Sequence, residues 1–116
     1  MTKKIKIMFV DDEKINIELF KSVFSKIYDI EYYSNPQEAV ERLKKLSSLD
    51  ILFTDYIMPD INGEELVKIS KRKFPNILTI LSSAYVSEFK KCEADYKLKK
   101  PWCLQEIKTI INNELL

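Results

Sequence analysis

Three short apolar runs, each ended by a polar residue, set the frame of this chain. They are residues 5–10 (IKIMFV) before Asp11, residues 51–54 (ILFT) before Asp55, and residues 77–81 (ILTIL) before Ser82 and Ser83. Near-continuous apolar runs of this length predict strands buried on both faces, as in a parallel sheet. Residues 30–33 and 94–98 are more polar and predict strands nearer a sheet edge. Helical spacing fills the gaps. Ile15, Leu19, Phe20, Val23, Phe24 and Ile27 recur three and four apart and predict the buried stripe of a first helix. Asn35-Pro36 predicts the start of a second, since proline at the first helical position gives up a donor that has no partner there. Its stripe is Ala39, Val40, Leu43 and Leu46. A third helix follows Gly63 on Leu66, Val67, Ile69 and Phe74, ended by Pro75. A last one runs from about Cys103 on Leu104, Ile107, Ile111 and Leu115, and residues 86–92 leave room for only a short fourth helix before it. Strand and helix alternate throughout, which predicts one doubly wound α/β domain over residues 1–116, with helices on both faces of a five-stranded parallel sheet.

Composition narrows the chemistry. The 116 residues suit one compact domain, and 46% hydrophobic content is enough for a real core. The formal net charge of +1 argues against nucleic acid as a direct partner, which calls for a concentrated basic face. The chain has no histidine, which excludes a serine–histidine or cysteine–histidine pair and histidine-ligated zinc. Cys92 and Cys103 have neither disulfide-framework nor metal-pair spacing and read as free thiols of a reducing compartment. The amino terminus carries no signal-peptide core or membrane span, so a cytoplasmic domain without membrane contact is expected.

Ligands of an open parallel sheet bind at the carboxyl ends of its strands, where the winding direction switches. Polar residues fall at those ends: Asp11-Asp12-Glu13, Asp55, Ser82-Ser83, and Lys99-Lys100 before Pro101. Carboxylates brought together need a proton or a cation to relieve their repulsion. A hard divalent ion with oxygen ligands, such as Mg²⁺, suits that role. Acids, cation, lysine and hydroxyl together would cradle a phosphoryl group, whose transfer depends mainly on positioning and charge neutralisation. Taken singly, each piece has a plainer explanation: acids at a helix start, a strand-end cap, turn serines, a solvated lysine pair. Four strand ends carrying the required residue types together outweigh those explanations.

Asp11-Asp12, Asp55 with Met58-Pro59 and Gly63 beyond it, Ser83-Ala84 and Lys100-Pro101, in this order, resemble the receiver domain of bacterial two-component response regulators. The resemblance spans essentially the whole chain. It implies a flavodoxin-like, CheY-like sheet of strand order 2-1-3-4-5. It also implies a signalling switch rather than an enzyme. Asp55 would accept a phosphoryl group from the phosphohistidine of a sensor kinase or phosphotransfer protein. Mg²⁺ would be held by Asp11, Asp12, Asp55 and the backbone carbonyl of Ile57. Ser83 and Lys100 would bind the phosphoryl oxygens, and the Lys100-Pro101 peptide would be cis, which proline tolerates. Ser83 is preferred over Ser82 because it precedes a small residue, Ala84.

The chain departs from the family pattern in two places. The segment between Ala84 and Lys100 is short, and Lys97, beside Tyr96, stands where receivers often carry a mobile aromatic. Trp102 is expected to pack, and Asp60, Glu64 and Glu65 to trim a loop and a helix start. Because the chain reaches only Leu116 after its last helix, output is expected through contacts with an unidentified protein, or through an effector fused to this domain in a longer protein. The rival expectations are a pseudo-receiver that binds partners without phosphorylation and a Mg²⁺-dependent enzyme acting on small phosphate compounds.

Overall fold

The structure, a computed structural model, describes residues 4–85 and 92–116. The elements alternate as β1 (Lys6–Val10), α1 (Lys14–Phe24), β2 (Asp29–Tyr33), α2 (Pro36–Lys45), β3 (Ile51–Asp55), α3 (Gly63–Lys73), β4 (Leu78–Ser83), β5 (Tyr96–Lys99) and α4 (Leu104–Leu115). The strands form one parallel sheet in the order β2-β1-β3-β4-β5, as the resemblance implies. The short helix expected over residues 86–92 lies outside the described residues, apart from Cys92.

Side chains alternate across the sheet and so build two cores. On one face, Phe9, Phe53, Ile80 and Leu98 meet Ile17, Phe20 and Phe24 of α1 and Ile107 and Ile111 of α4. On the other, Met8, Leu52 and Leu81 meet Ala39, Val40 and Leu43 of α2 and Leu66 and Val67 of α3. β1, β3 and β4 lie inside the sheet and are almost entirely buried, which is why they read as apolar runs. Each buried aromatic or branched side chain on these faces contributes about 1.5–3 kcal/mol relative to exposure.

Helix starts follow local chemistry. Asn35 accepts hydrogen bonds from the Gln37 and Glu38 amides, with Pro36 at the first helical position, as expected. Asn62 caps α3 by accepting from the Glu65 amide, a cap the hydrophobic pattern alone did not indicate.

The first helix corrects the expected stripe. Ile15, Leu19 and Ile27 are exposed, and the buried positions are Ile17, Phe20 and Phe24, with Val23 partly buried. Ile27 falls outside α1, which ends at Phe24. Ile15 and Leu19 lie on the solvent side of α1. Leu115 is likewise exposed, and Ile110 takes a buried place beside Ile107 and Ile111.

Candidate phosphoacceptor site

β1 and β3 are adjacent, so Asp11 and Asp55 emerge side by side at their carboxyl ends. Asp11 is buried and held on both oxygens. Oδ1 accepts from the Glu13 amide at 2.9 Å, bending the chain into α1, and Oδ2 accepts from Asn16 Nδ2 at 3.1 Å. The plainer explanation for Asp11 is therefore also true: it shapes the entry to a helix. Asn16 was not singled out in the sequence, where a short polar residue in a first helical turn gives no distinctive signal.

Lys100 reaches this pair from the far end of the chain. Its Nζ lies 3.1 Å from Asp11 Oδ2 and 3.2 Å from Asp55 Oδ2. A backbone bond from the Lys100 amide to the Ser83 carbonyl, 2.9 Å, fixes where that side chain departs, and the Lys100-Pro101 peptide is cis. Oxygen atoms of Asp11, Asp12 and Asp55 lie within 4.8 Å of one another, with Asp12 exposed. Three carboxylates share one ammonium, so the cluster carries surplus negative charge. That donor set, all oxygen with one member open to solvent, fits a hard cation such as Mg²⁺.

Burial, and after it this surplus, raises the pKa of Asp55. Burial pushes its carboxyl up, Lys100 opposes, and the charges of Asp11 and Asp12 push it further, to about 6. For Lys100, burial acts to lower the pKa, but Asp11 and Asp55 outweigh it and hold the ammonium above its ordinary range.

The loop after β3 is pressed against Asp55 from below. The Tyr56 amide donates to the Ser82 carbonyl at 2.8 Å, and the Gly63 amide donates to the Tyr56 carbonyl at 2.7 Å. A Cβ on Gly63, the chain's single glycine, would lie 2.2 Å from the Asp55 carbonyl oxygen. Only glycine lets α3 begin this close to β3. Asp60 takes a positive φ of 70° within the loop, while Glu64 and Glu65 occupy the first turn of α3. Ile57 lies in the same loop, with its side chain 57% exposed.

The two serines diverge. Ser82, the register partner of Asp55, turns its hydroxyl to accept from Trp102 Nε1 at 2.6 Å. Ser83, also buried, closes β4, and its Oγ accepts from the Tyr85 amide at 3.1 Å. Tyr96 packs partly buried against the α1/α4 core, and its hydroxyl meets Glu114, whereas Lys97 is exposed.

A three-carboxylate cluster with a bridging lysine at the carboxyl ends of a 2-1-3-4-5 parallel sheet defines the class: a doubly wound domain of the receiver type. Residues 7–112 match the response regulator receiver domain family, and the chain belongs to it. It is 30% identical over 115 residues to the response regulator SaeR of Staphylococcus aureus, covering 94% of this chain and 50% of that protein. The chain thus spans half the length of that relative, and a smaller share of two response regulators of Arabidopsis thaliana. Among solved structures it resembles the response regulator TrrA of Thermotoga maritima in complex with Mg²⁺-BeF. That likeness has a TM-score of 0.82 and 28% identity, over 96% of this chain and 99% of that one. It shares its fold with the receiver domain of Saccharomyces cerevisiae Ssk1, solved with the histidine phosphotransfer protein Ypd1. There the TM-score is 0.80 at 21% identity, over 98% of this chain and 90% of that one. Among the described residues, no helix is long and apolar enough to cross a membrane.

Proposed function

We propose that this domain is a phosphorylation-activated switch of a two-component relay, with Asp55 as the phosphoacceptor. The observation that carries the reading is Lys100 bridging Asp11 and Asp55 at 3.1 and 3.2 Å, with Asp12 completing a three-carboxylate cluster. An Asp55 carboxylate oxygen attacks the phosphorus of a partner's phosphohistidine. The P–N bond breaks, the imidazole leaves and takes a proton, and Asp55 becomes an acyl phosphate. Asp11, Asp12, Asp55 and the Ile57 carbonyl would hold Mg²⁺, which when bound neutralises charge on the transferring group. Lys100 stays beside the reacting oxygen and pairs with the new phosphoryl group, and Ser83 supplies a hydroxyl donor from the end of β4.

The added group carries roughly one and a half to two negative charges, so Lys100 and the end of β4 are drawn toward it. The response reaches partners as a shift between populations of this face. Ile15, Ile57 and Tyr85, exposed at 74%, 57% and 65%, stand on segments following β1, β3 and β4. They offer an apolar rim to a kinase or phosphotransfer protein, the kind of partner with which the Ssk1 receiver was solved. The signal would pass to a protein target or to an effector fused to the domain.

Incubation with Mg²⁺ and acetyl phosphate, followed by intact-mass measurement, tests this reading. The expected result is a stable gain of one phosphoryl group that Asp55→Ala abolishes. Release of phosphate without a mass gain would point to an enzyme, and no reaction to a pseudo-receiver.

A further inference from the structure

Trp102 is the chain's single tryptophan, and it touches both the core and the site. Its ring stands edge-on to Phe9, Phe20 and Phe53, with centroids 5.7, 6.1 and 5.5 Å away. Its Nε1–H donates to Ser82 Oγ at 2.6 Å, and Lys100 Nζ lies 5.9 Å from its ring centroid. Ser82 is wholly buried, with Asp55 as its register partner on one side and Leu98 on the other.

Core packing alone does not call for this pair. Leu78 and Ile80, on the same face of β4, are apolar, and a phenylalanine at 102 would fill the aromatic cage without a buried donor. Each of the two polar groups would be unfavourable there without the other. The pair sits directly beside the two groups whose separation matters most, Asp55 and its lysine. The hydrogen bond fixes the rotation of the indole about its side-chain torsion. The fixed ring then forms a wall beside the ammonium, to which its face is also electrostatically attractive.

We infer that Trp102, locked in rotation by Ser82, is the positioning residue for Lys100, holding its ammonium between Asp11 and Asp55. This rests on the phosphoacceptor reading above for its kinetic consequence, but not for its effect on cation binding. An ammonium held between two carboxylates competes with a divalent cation for them, and it is also the group that meets charge on the incoming phosphoryl. Loosening it therefore moves two observables in opposite directions: cation affinity rises and phosphorylation slows. General loosening of the fold would weaken both.

The test uses the full chain with Trp102→Phe, Ser82→Ala and the double variant. Mg²⁺ affinity is measured by calorimetry, the rate of phosphoryl uptake from acetyl phosphate by intact mass, and folding by thermal melting. Each single variant is expected to bind Mg²⁺ about threefold tighter and to take up the phosphoryl group about fivefold more slowly. The double variant should match either single one, because the same bond is lost only once. Wild-type affinity and rate in both single variants, whatever their melting temperatures, would overturn the inference, and so would a fall in both quantities together. If one single variant does not fold, the other decides, since either breaks the same bond. If the wild-type protein takes up no phosphoryl group, the phosphoacceptor reading fails, and the Mg²⁺ titration alone decides the role of Trp102.

Discussion

Asp55 and Asp95 are aspartates at opposite ends of the sheet, each with a lysine at nearly the same distance, yet their carboxyls shift in opposite directions. Asp55 lies 3.2 Å from Lys100, and Asp95 lies 3.1 Å from Lys71. Burial alone would raise both. At Asp95 it is outweighed by the Thr79 amide and hydroxyl, donating at 2.9 and 3.0 Å, together with Lys71, so the carboxyl ends below its ordinary range. Asp55 shares its lysine with Asp11 and faces a third carboxylate, so burial prevails and it titrates near 6. One acid is saturated with donors and ties the start of β5 to β4; the other is left under-compensated. The difference lies in how deeply each carboxyl is buried, in the Thr79 donors at Asp95, and in how many carboxylates share the lysine at Asp55.

The largest expected effect comes from disturbing the backbone beneath Asp55. Gly63→Ala forces a methyl group against the Asp55 carbonyl and Leu81 Cδ1, 2.2 and 2.7 Å from the ideal Cβ position. Since a backbone atom cannot give way cheaply, a loss of about 3 kcal/mol in denaturant unfolding is expected. No effect would mean that α3 starts farther from β3 than described.

Next come the two acids themselves, with opposite signs. Asp95→Ala should cost about 1–2 kcal/mol, because the buried Thr79 hydroxyl and amide lose a charged acceptor. Asp55→Asn, without Mg²⁺ at neutral pH, should stabilise the fold by about 1 kcal/mol, since it removes an unfavourably buried charge while leaving Lys100 paired with Asp11. Destabilisation by both substitutions would erase the contrast.

The pH dependence sharpens it further. Asp55 has a folded pKa of about 6 against 3.8 as its ordinary value, so between these the folded state binds more protons. Stability therefore falls as pH rises through this window, and the advantage of Asp55→Asn should be absent near pH 4, grow across the window and be complete above pH 6. Asp95, with its lowered pKa, contributes stability that is present above the ordinary aspartate pKa and lost as pH falls through the folded value. Thermal melting of Asp55→Asn and Asp95→Ala beside the unsubstituted protein across pH 3–8 separates these opposite slopes.

The smallest effect expected is kinetic. Exposed Ile57 and Tyr85 carry neither a carboxamide nor an acid to orient an attacking water, so the phosphorylated protein should lose its group slowly. Ile57→Asn with Tyr85→Glu should speed that loss about threefold, and unchanged decay of the phosphoprotein by intact mass would count against their role.

Much of this frame was legible in the residue pattern. The buried runs ending at Asp11, Asp55 and Ser83 became β1, β3 and β4, and Asn35-Pro36 became the start of α2, because strand burial and helix capping are local signals. The stripe of α1 was not, since Ile15 and Leu19 have the same helical spacing as Ile17, Phe20 and Phe24. A periodicity states that a face exists, while the neighbours decide which of two adjoining faces is covered. Ser82 and Ser83 are identical as letters, and only the alternation of β4 sends one hydroxyl to Trp102 and leaves the other at the end of the strand. Asp95 gave no sign of its role, because its donors come from β4 and α3.

The sequence by itself determined which chemistry was available: acids, hydroxyls and a lysine at strand ends, a glycine where two backbones nearly touch, and no histidine. Only the tertiary structure decided how charge is shared among them. Lys100 lies 89 residues from Asp11 along the chain, and its division between Asp11 and Asp55 follows from parallel strands meeting at one edge. Electrostatic compensation depends on distances across the sheet, and those are fixed by packing rather than by spacing along the chain.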